Sequence, residues 1–427
     1  MWSPGSRRES TFTFPHSTPG QLAQMSAVSI EKAKAVLSDF VLVNQETNID
    51  NFVLGEKNYS KFVNEFWTAK QRQANSIHEI SYRACYKPQL PSFFIDLFTR
   101  KGDTVYDPFA GRGTTPIEAA LMGRNVVSND VNPLSIILTK PRLNIPTIGE
   151  IEKRLDEIEF ESFEADIDLS MFFHKKTEYE LISLKNQLLD TKVDNWIRMV
   201  STNRLTGHSA GFFSGYTLPP NQAASQKSQI AINEKLEIVP PYKNTKEIIF
   251  KKSKSLLRNI NAKLSNKLEA ISSSSIFSSL DSRETSHIAD NSINLTVTSP
   301  PFLNIVKYAK DNWLRCWFNN IDASEVESRI SLCRTVETWS EIMGSVFHEL
   351  YRITLPGGWV AFEVGEINNG KIKLDEYVVP LGIKSGFTCA GIMVNSQDFT
   401  KTSNIWGVNN MKIGTNTNRI VLFHKPK

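Results

Sequence analysis

Apolar residues recur along this chain with two periods, and the order in which the periods alternate predicts its elements. In KPQLPSFFIDLFTRKGD, residues Leu90, Phe93, Phe94, Leu97 and Phe98 fall at helical spacing, and Gly102 with Asp103 ends the pattern. TVYDPFA follows as a short apolar strand, GRGTT as a glycine-rich turn, and PIEAALMG as a helix opened by Pro116 and closed by Gly123. NVVSND reads as a second strand ending on Asp130. One β-turn-α-β unit in so few residues predicts a parallel sheet with helices on both faces, the Rossmann-like α/β class. INLTVTSPPF, GGWVAFEVGE and NRIVLFHK read as three further strands separated by helical stretches.

These patterns divide the chain. Residues 1–25 are rich in Ser, Thr and Pro, carry Arg7, Arg8 and Glu9 in a row, and lack an apolar core of the secretory kind. They read as a disordered tail, with Met25 an alternative start. Residues 26–75 begin a helical pattern at Val28, Ile30, Ala33, Val36 and Leu37 and form an N-terminal helical segment. Residues 76–146 are the first part of the sheet domain and 271–427 the second. Between them, 147–270 are long, polar and mixed, with aromatic clusters at Phe172, Phe173, Phe212, Phe213 and Tyr216. A sheet connection of this length implies function or a domain of its own. It reads as an insertion and a candidate recognition domain. No internal repeat is visible.

Composition narrows the class. The 427 residues are 40% hydrophobic and 22% charged, values of a soluble globular chain. No apolar run approaches the ~20 residues of a membrane-spanning helix. Cys85, Cys316, Cys333 and Cys389 are widely separated without a CxxC pair, which argues against a zinc site and against a disulfide framework. No metal site and no membrane association are expected, and a reducing bacterial or archaeal cytoplasm fits best. The net charge of +4 is concentrated: residues 243–267 hold eight Lys/Arg against one acid, Glu247. Within that run Lys251, Lys252, Lys254 and Arg258 are candidate phosphate contacts, the alternative being a solvated helix face.

The glycine turn suggests a nucleotide. A turn joining a buried strand to a helix start exposes backbone N–H groups and the positive end of the helix dipole. Gly111 and Gly113 clear the approach, although many tight turns share the Gly-x-Gly pattern. Asp107 closes the strand before the turn, and Asp130 closes the next strand, where an acid accepts hydrogen bonds from a ribose diol. Pro116 stands where a dinucleotide fingerprint wants its third glycine, and no Gly-Lys-Thr grips a phosphate. An anion is disfavoured beside Asp107. S-adenosylmethionine, with an ammonium and a sulfonium, suits the constellation better than NAD or ATP.

Thr298-Ser299-Pro300-Pro301-Phe302 follows an alternating strand. One reading is a Pro-Pro loop that merely ends it. The other is chemical: two prolines fix φ and hold a carbonyl rigidly outward. That carbonyl and the Ser299 hydroxyl can accept both hydrogens of an exocyclic amine, and Phe302 can stack on the base that bears it.

DPFAGRGTT followed by TSPPF resembles the S-adenosylmethionine-dependent amino-methyltransferases that modify exocyclic amines of DNA bases. SYRACYKPQLPSFFIDLFTRKGD is similar to that family's segment before the glycine loop, and LDSRETSHIADNS to the strand carrying an acid near the adenine, here Asp281. PGGWVAFEVGE and TNTNRIVLFHK resemble later sheet strands, so the likeness covers 78–146 and 276–427. The resemblance implies a class I methyltransferase sheet. It assigns Asp107, Phe109, Gly111, Gly113, Thr114, Asp130 and Asp281 to the cofactor. It assigns Ser299, Pro300, Pro301 and Phe302 to catalysis, with double-stranded DNA as substrate and a cognate restriction endonuclease as candidate partner. The order departs from the family's, since the insertion precedes the Asp281 segment rather than following it. Ser299 stands where adenine-modifying members more often carry Asp or Asn, which points to cytosine N4. The expected function is therefore site-specific DNA methylation. An RNA base methyltransferase and a catalytically silent DNA-binding subunit are the rivals.

Overall fold

The computed structural model describes residues 28–42, 45–67, 74–83, 85–217, 223–301, 308–330, 333, 335–367, 371–396 and 417–427. Its frame is a nine-stranded sheet made of β1 (Asn48–Leu54), β2 (Lys57–Asn64), β3 (Thr104–Asp107), β4 (Asn125–Asn129), β5 (Ile276–Ser278), β6 (Ile293–Thr298), β7 (Thr354–Val364), β8 (Thr388–Ser396) and β9 (Thr417–His424). The spatial order is β1-β2-β8-β9-β7-β6-β3-β4-β5. From β5 to β7 every neighbour is parallel, whereas β9 runs antiparallel to both β7 and β8. Seven strands, one of them reversed next to the edge strand, make a Rossmann-like sheet; β2 and β1 extend it beyond β8.

The central strands are buried on both faces, and alternate residues serve opposite layers. Val105, Leu295, Val297, Trp359 and Ala361 join one hydrophobic cluster, while Tyr106, Val360, Phe362 and Val364 join the other. On the first face lies the helix Gln89–Phe98, whose Phe98 ring stacks on Trp359 with centroids 4.1 Å apart. The second face is covered by the helices Val336–Ile353 and Leu374–Lys384, with Phe347 against Phe362 and Phe423.

Two expectations need correction. Among the described residues of the segment 26–75, the helix is confined to Ile30–Ser38, and the later part forms the β1–β2 hairpin, which pairs with β8. The described residues of the insertion 147–270 form a set of helices rather than a mixed segment, and their core is continuous with that of the sheet. Phe172, Leu181, Trp196, Ile249 and Leu256 belong to the same cluster as Val105 and Leu295. Each of the six helices among its described residues opens on a capping side chain: Thr147, His174, Thr191, Ser225, Asn244 and Asn261. The expected tail, residues 1–25, lies outside the described residues. Among those described, no helix is long and apolar enough to cross a membrane.

Candidate active site

Strands β3 and β6 are neighbours, with Val105 opposite Leu295 and Tyr106 opposite Thr296. Their carboxyl ends therefore deliver the glycine turn and the Ser-Pro-Pro turn side by side. Hydrogen bonds lock the pair: Thr298 Oγ1 donates to Asp107 Oδ1 at 2.7 Å, and Thr115 Oγ1 to the Val297 carbonyl at 3.1 Å.

Asp107 is sealed in, only 1% exposed, and is not on the wall of the cleft that the two turns enclose. Besides Thr298 it accepts from the Phe109 N–H at 3.1 Å and from the Tyr86 hydroxyl at 2.9 Å. Burial pushes its carboxyl up to about 6 against those three hydrogen bonds, with the Asp130 charge adding to the rise. Burial, Asp107 and Glu363 hold Tyr86 well above the usual phenol range, so it stays a donor. Asp107 thus ties three segments together, a positioning role distinct from the direct cofactor contact that the resemblance implies.

The turn itself depends on left-handed backbone at Gly111 (φ 52°) and Gly113 (φ 77°). A Cβ on Gly113 would lie 2.2 Å from Thr139 Oγ1, so no other residue fits there. Gly113 caps the helix Thr114–Leu121, and Thr114 is buried beneath the turn, where it accepts from Arg112 Nε at 3.2 Å. Beneath the turn lies Arg142, fully buried, donating to the carbonyls of Leu138 at 2.7 Å, of Ile77 at 3.2 Å and of Arg112. Burial and the Arg112 charge depress it to about 9. Asp130, just past the end of β4, accepts the Gly111 N–H at 2.8 Å and the Asn132 N–H at 2.9 Å; burial pushes it up to about 6.

A cleft of roughly 920 Å³, its open mouth included, runs between the two turns. Phe109, Gly111, Asp130 and Asp281 line it from one side, Ser299 and Pro301 from the other, and Met343 and Val346 supply apolar wall. Asp281 sits in the turn after β5 rather than on the strand, with its carboxylate bound by Arg283 Nη2 at 2.5 Å; Arg283 holds it below the usual carboxylate range. Pro300 is buried, and the Pro301 carbonyl accepts from Trp339 Nε1 at 3.0 Å, which fixes the turn against the helix Val336–Ile353. Phe302 lies outside the described residues.

One residue escaped the sequence reading. Glu363, on β7, is 5% exposed, accepts from Asn418 Nδ2 at 2.8 Å and is hydrogen-bonded by the Ser299 hydroxyl. Burial raises its pKa against both bonds. Its only signal in the sequence is an acid inside the apolar run WVAFEV.

The four basic candidates of the insertion do not share a face. Lys251 is exposed and pairs with Glu247 on its own helix, and Lys254 lies 5.0 Å from the Phe250 ring centroid. Lys252 and Arg258 turn to Glu79, Arg258 Nη1 at 2.9 Å and Lys252 Nζ at 3.9 Å from it. Among the described residues, no group of three or more His, Cys, Asp or Glu is arranged to hold a metal ion.

The DNA methylase family model matches residues 25–159, which include the glycine turn and Asp130. The chain is 25% identical over 339 residues to the type II methyltransferase M.BsoBI of Geobacillus stearothermophilus, covering 69% of this chain and 65% of that one. It is 33% identical over 95 residues to the type II methyltransferase M.BglI of Bacillus subtilis, covering 22% and 26%. The chain thus spans less than two thirds of the length of either relative. Among solved structures, a SAM-dependent methyltransferase of Methanosarcina mazei is 10% identical over 78% of this chain and 97% of that one, with a TM-score of 0.33.

Proposed function

We propose that this chain, a relative of the DNA amino-methyltransferases of the N4/N6 class, transfers a methyl group from S-adenosylmethionine to an exocyclic base amine in double-stranded DNA, at cytosine N4 in preference to adenine N6. The observation that carries this reading is the single cleft lined by both turns. A methyl donor and an amine react only within bonding reach, and adjacent parallel strands bring their two loops to one place.

The cleft's chemistry fits a cationic nucleoside. Asp130 faces it with a carboxylate whose ionisation burial opposes, so an ammonium or sulfonium would relieve that cost where a pyrophosphate would add to it. Asp130 is placed to accept from ribose hydroxyls, Asp281 stands on the same wall, and Phe109, Met343 and Val346 offer apolar surface. Bound there, S-adenosylmethionine would supply a methyl group activated by its sulfonium, the S–C bond breaking to leave a neutral thioether.

The chain's own residues prepare the amine. Ser299 donates a hydrogen bond from its hydroxyl to Glu363, which leaves the oxygen lone pairs to accept from the amine and to orient the nitrogen lone pair. As the N–C bond forms, one amine proton leaves; it passes to Ser299 Oγ, whose own proton passes to Glu363. Trp339 keeps the prolines rigid during this exchange. The target base must leave the stack at a cost of a few kcal/mol, and Phe302 is the proposed stacking partner that offsets it. Serine at position 299 supports cytosine over adenine. The type II relatives support a place beside a restriction endonuclease.

Incubation with S-adenosylmethionine labelled in the methyl group, against duplex DNA and tRNA in parallel, followed by nucleoside digestion, tests the assignment. Label in N4-methylcytosine from DNA is expected. Label in tRNA alone would favour RNA as substrate. Cofactor binding without transfer would leave a silent DNA-binding subunit.

A further inference from the structure

Behind the glycine turn lies a second cleft, walled by Glu79, Tyr82, Arg112, Arg204, Phe212 and Lys252. We propose that it holds a backbone phosphate of the DNA substrate beside the reaction cleft, so that the helical insertion grips the strand whose base is being modified. This rests on the DNA-methyltransferase reading and names where that substrate is held.

Charge is the first ground. Three cations face one carboxylate, Glu79, and that carboxylate is already bound by Arg258 from outside the cleft. These cations are not a solvated helix face. Lys252 has a side chain 13% exposed, and burial with the adjacent Arg204 charge pushes it down to about 8. Arg204 is depressed to about 10 by burial and by Arg315. Its guanidinium lies over the Phe212 ring, 4.2 Å from the centroid, and its buried Nε has no hydrogen-bond partner. Three positive charges set against one carboxylate, itself shared between Lys252 and Arg258, raise the energy of the free protein, and an entering phosphate diester lowers it.

Position is the second ground. Tyr82 lines both clefts, and its ring packs 3.4 Å from where a Cβ on Gly111 would stand. Gly111 faces the reaction cleft and its neighbour Arg112 faces the cationic one. A nucleotide swung out of a duplex takes its flanking phosphates with it, so an anion site one side chain away from the base site lies where the flipped strand must pass.

Binding of the full chain to duplex DNA and duplex RNA, measured by fluorescence anisotropy across a salt series, tests this with Lys252→Gln, Arg204→Gln and, for comparison, Lys251→Gln. Lys252→Gln and Arg204→Gln should each weaken DNA binding roughly tenfold and lower the slope of log K against log salt by about 1. Lys251→Gln, on the same helix but already paired with Glu247, should leave the slope near that of the wild type. Melting curves identify folded variants; if Arg204→Gln unfolds, Lys252→Gln decides alone. An unchanged slope in folded Lys252→Gln, while the wild type methylates DNA, would overturn the phosphate site and leave the enzyme reading standing. Weakening confined to RNA would overturn the DNA assignment. A wild type that binds no DNA would remove both.

Discussion

A serine hydroxyl is an indifferent partner for an amine unless something fixes its proton, and at Ser299 that something is Glu363. Replacing Ser299 with alanine should cut kcat by roughly 10²-fold and leave the dissociation constant of S-adenosylmethionine within about twofold. Steady-state kinetics with calorimetric cofactor titration checks both, and a large loss of cofactor binding would refute the division of labour. Glu363→Gln keeps the size of the side chain and removes its basicity. It should lower kcat, leave KM for DNA nearly unchanged, and abolish the acidic limb of the kcat–pH profile that a burial-raised carboxylate produces. Asp130 carries a separate pH dependence. Below about 6 it takes up a proton and loses its attraction for a cationic ligand, so cofactor affinity should fall as pH drops from 7 to 5. Asp130→Asn should bind weakly at every pH, with a flatter profile; a wild-type profile in that variant would contradict the role. Asp130 and Ser299 were visible in the sequence because each ends a strand beside a recognisable turn. Glu363 was not, because its partners Ser299 and Asn418 lie 64 and 55 residues away along the chain and meet it only through sheet pairing.

At the scale of elements, the turn after β3 is the least replaceable piece. Gly113→Ala places a methyl group against Thr139 and forces alanine to a positive φ, for about 2–4 kcal/mol of destabilisation. A lowered melting temperature, with cofactor affinity reduced in the fraction that remains folded, is the expected result. The strands and helices around this turn follow directly from the hydrophobic pattern: Thr104–Asp107, Asn125–Asn129, Ile293–Thr298 and Gln89–Phe98 stand where the pattern puts them. The helices of the insertion did not show the same way, for a physical reason. Their inward positions are often polar and satisfied by one another. Glu180 accepts from Tyr242, from the Thr245 N–H and from its hydroxyl, Asp194 binds Arg154, and Trp196 donates to Ser253. Such buried polar pairs break the 3.6-residue apolar period that the eye looks for. The β1–β2 hairpin was hidden otherwise: as an outer strand, β1 has mostly exposed residues and lacks clean alternation.

For the whole molecule, the insertion and the sheet share a hydrophobic cluster, and the proposed phosphate cleft lies where the two meet. The excised fragment 147–270 should therefore fail to fold alone, giving a poorly dispersed amide spectrum; a well-dispersed one would show an independent domain. This continuity explains why a basic run in the sequence did not translate into a basic face. Helix geometry sends Lys251 outward and turns Lys252 inward, and only folding reveals which of them faces Arg204 and Arg112. The central claim is that one cleft brings a methyl donor and an extruded base together. Mapping modified bases across the genome of cells expressing the wild type or Ser299→Ala measures it most directly. N4-methylcytosine is expected at one short recurring sequence in the first, and none in the second. A genome without modified bases in the wild type, or the same pattern in both, would contradict it.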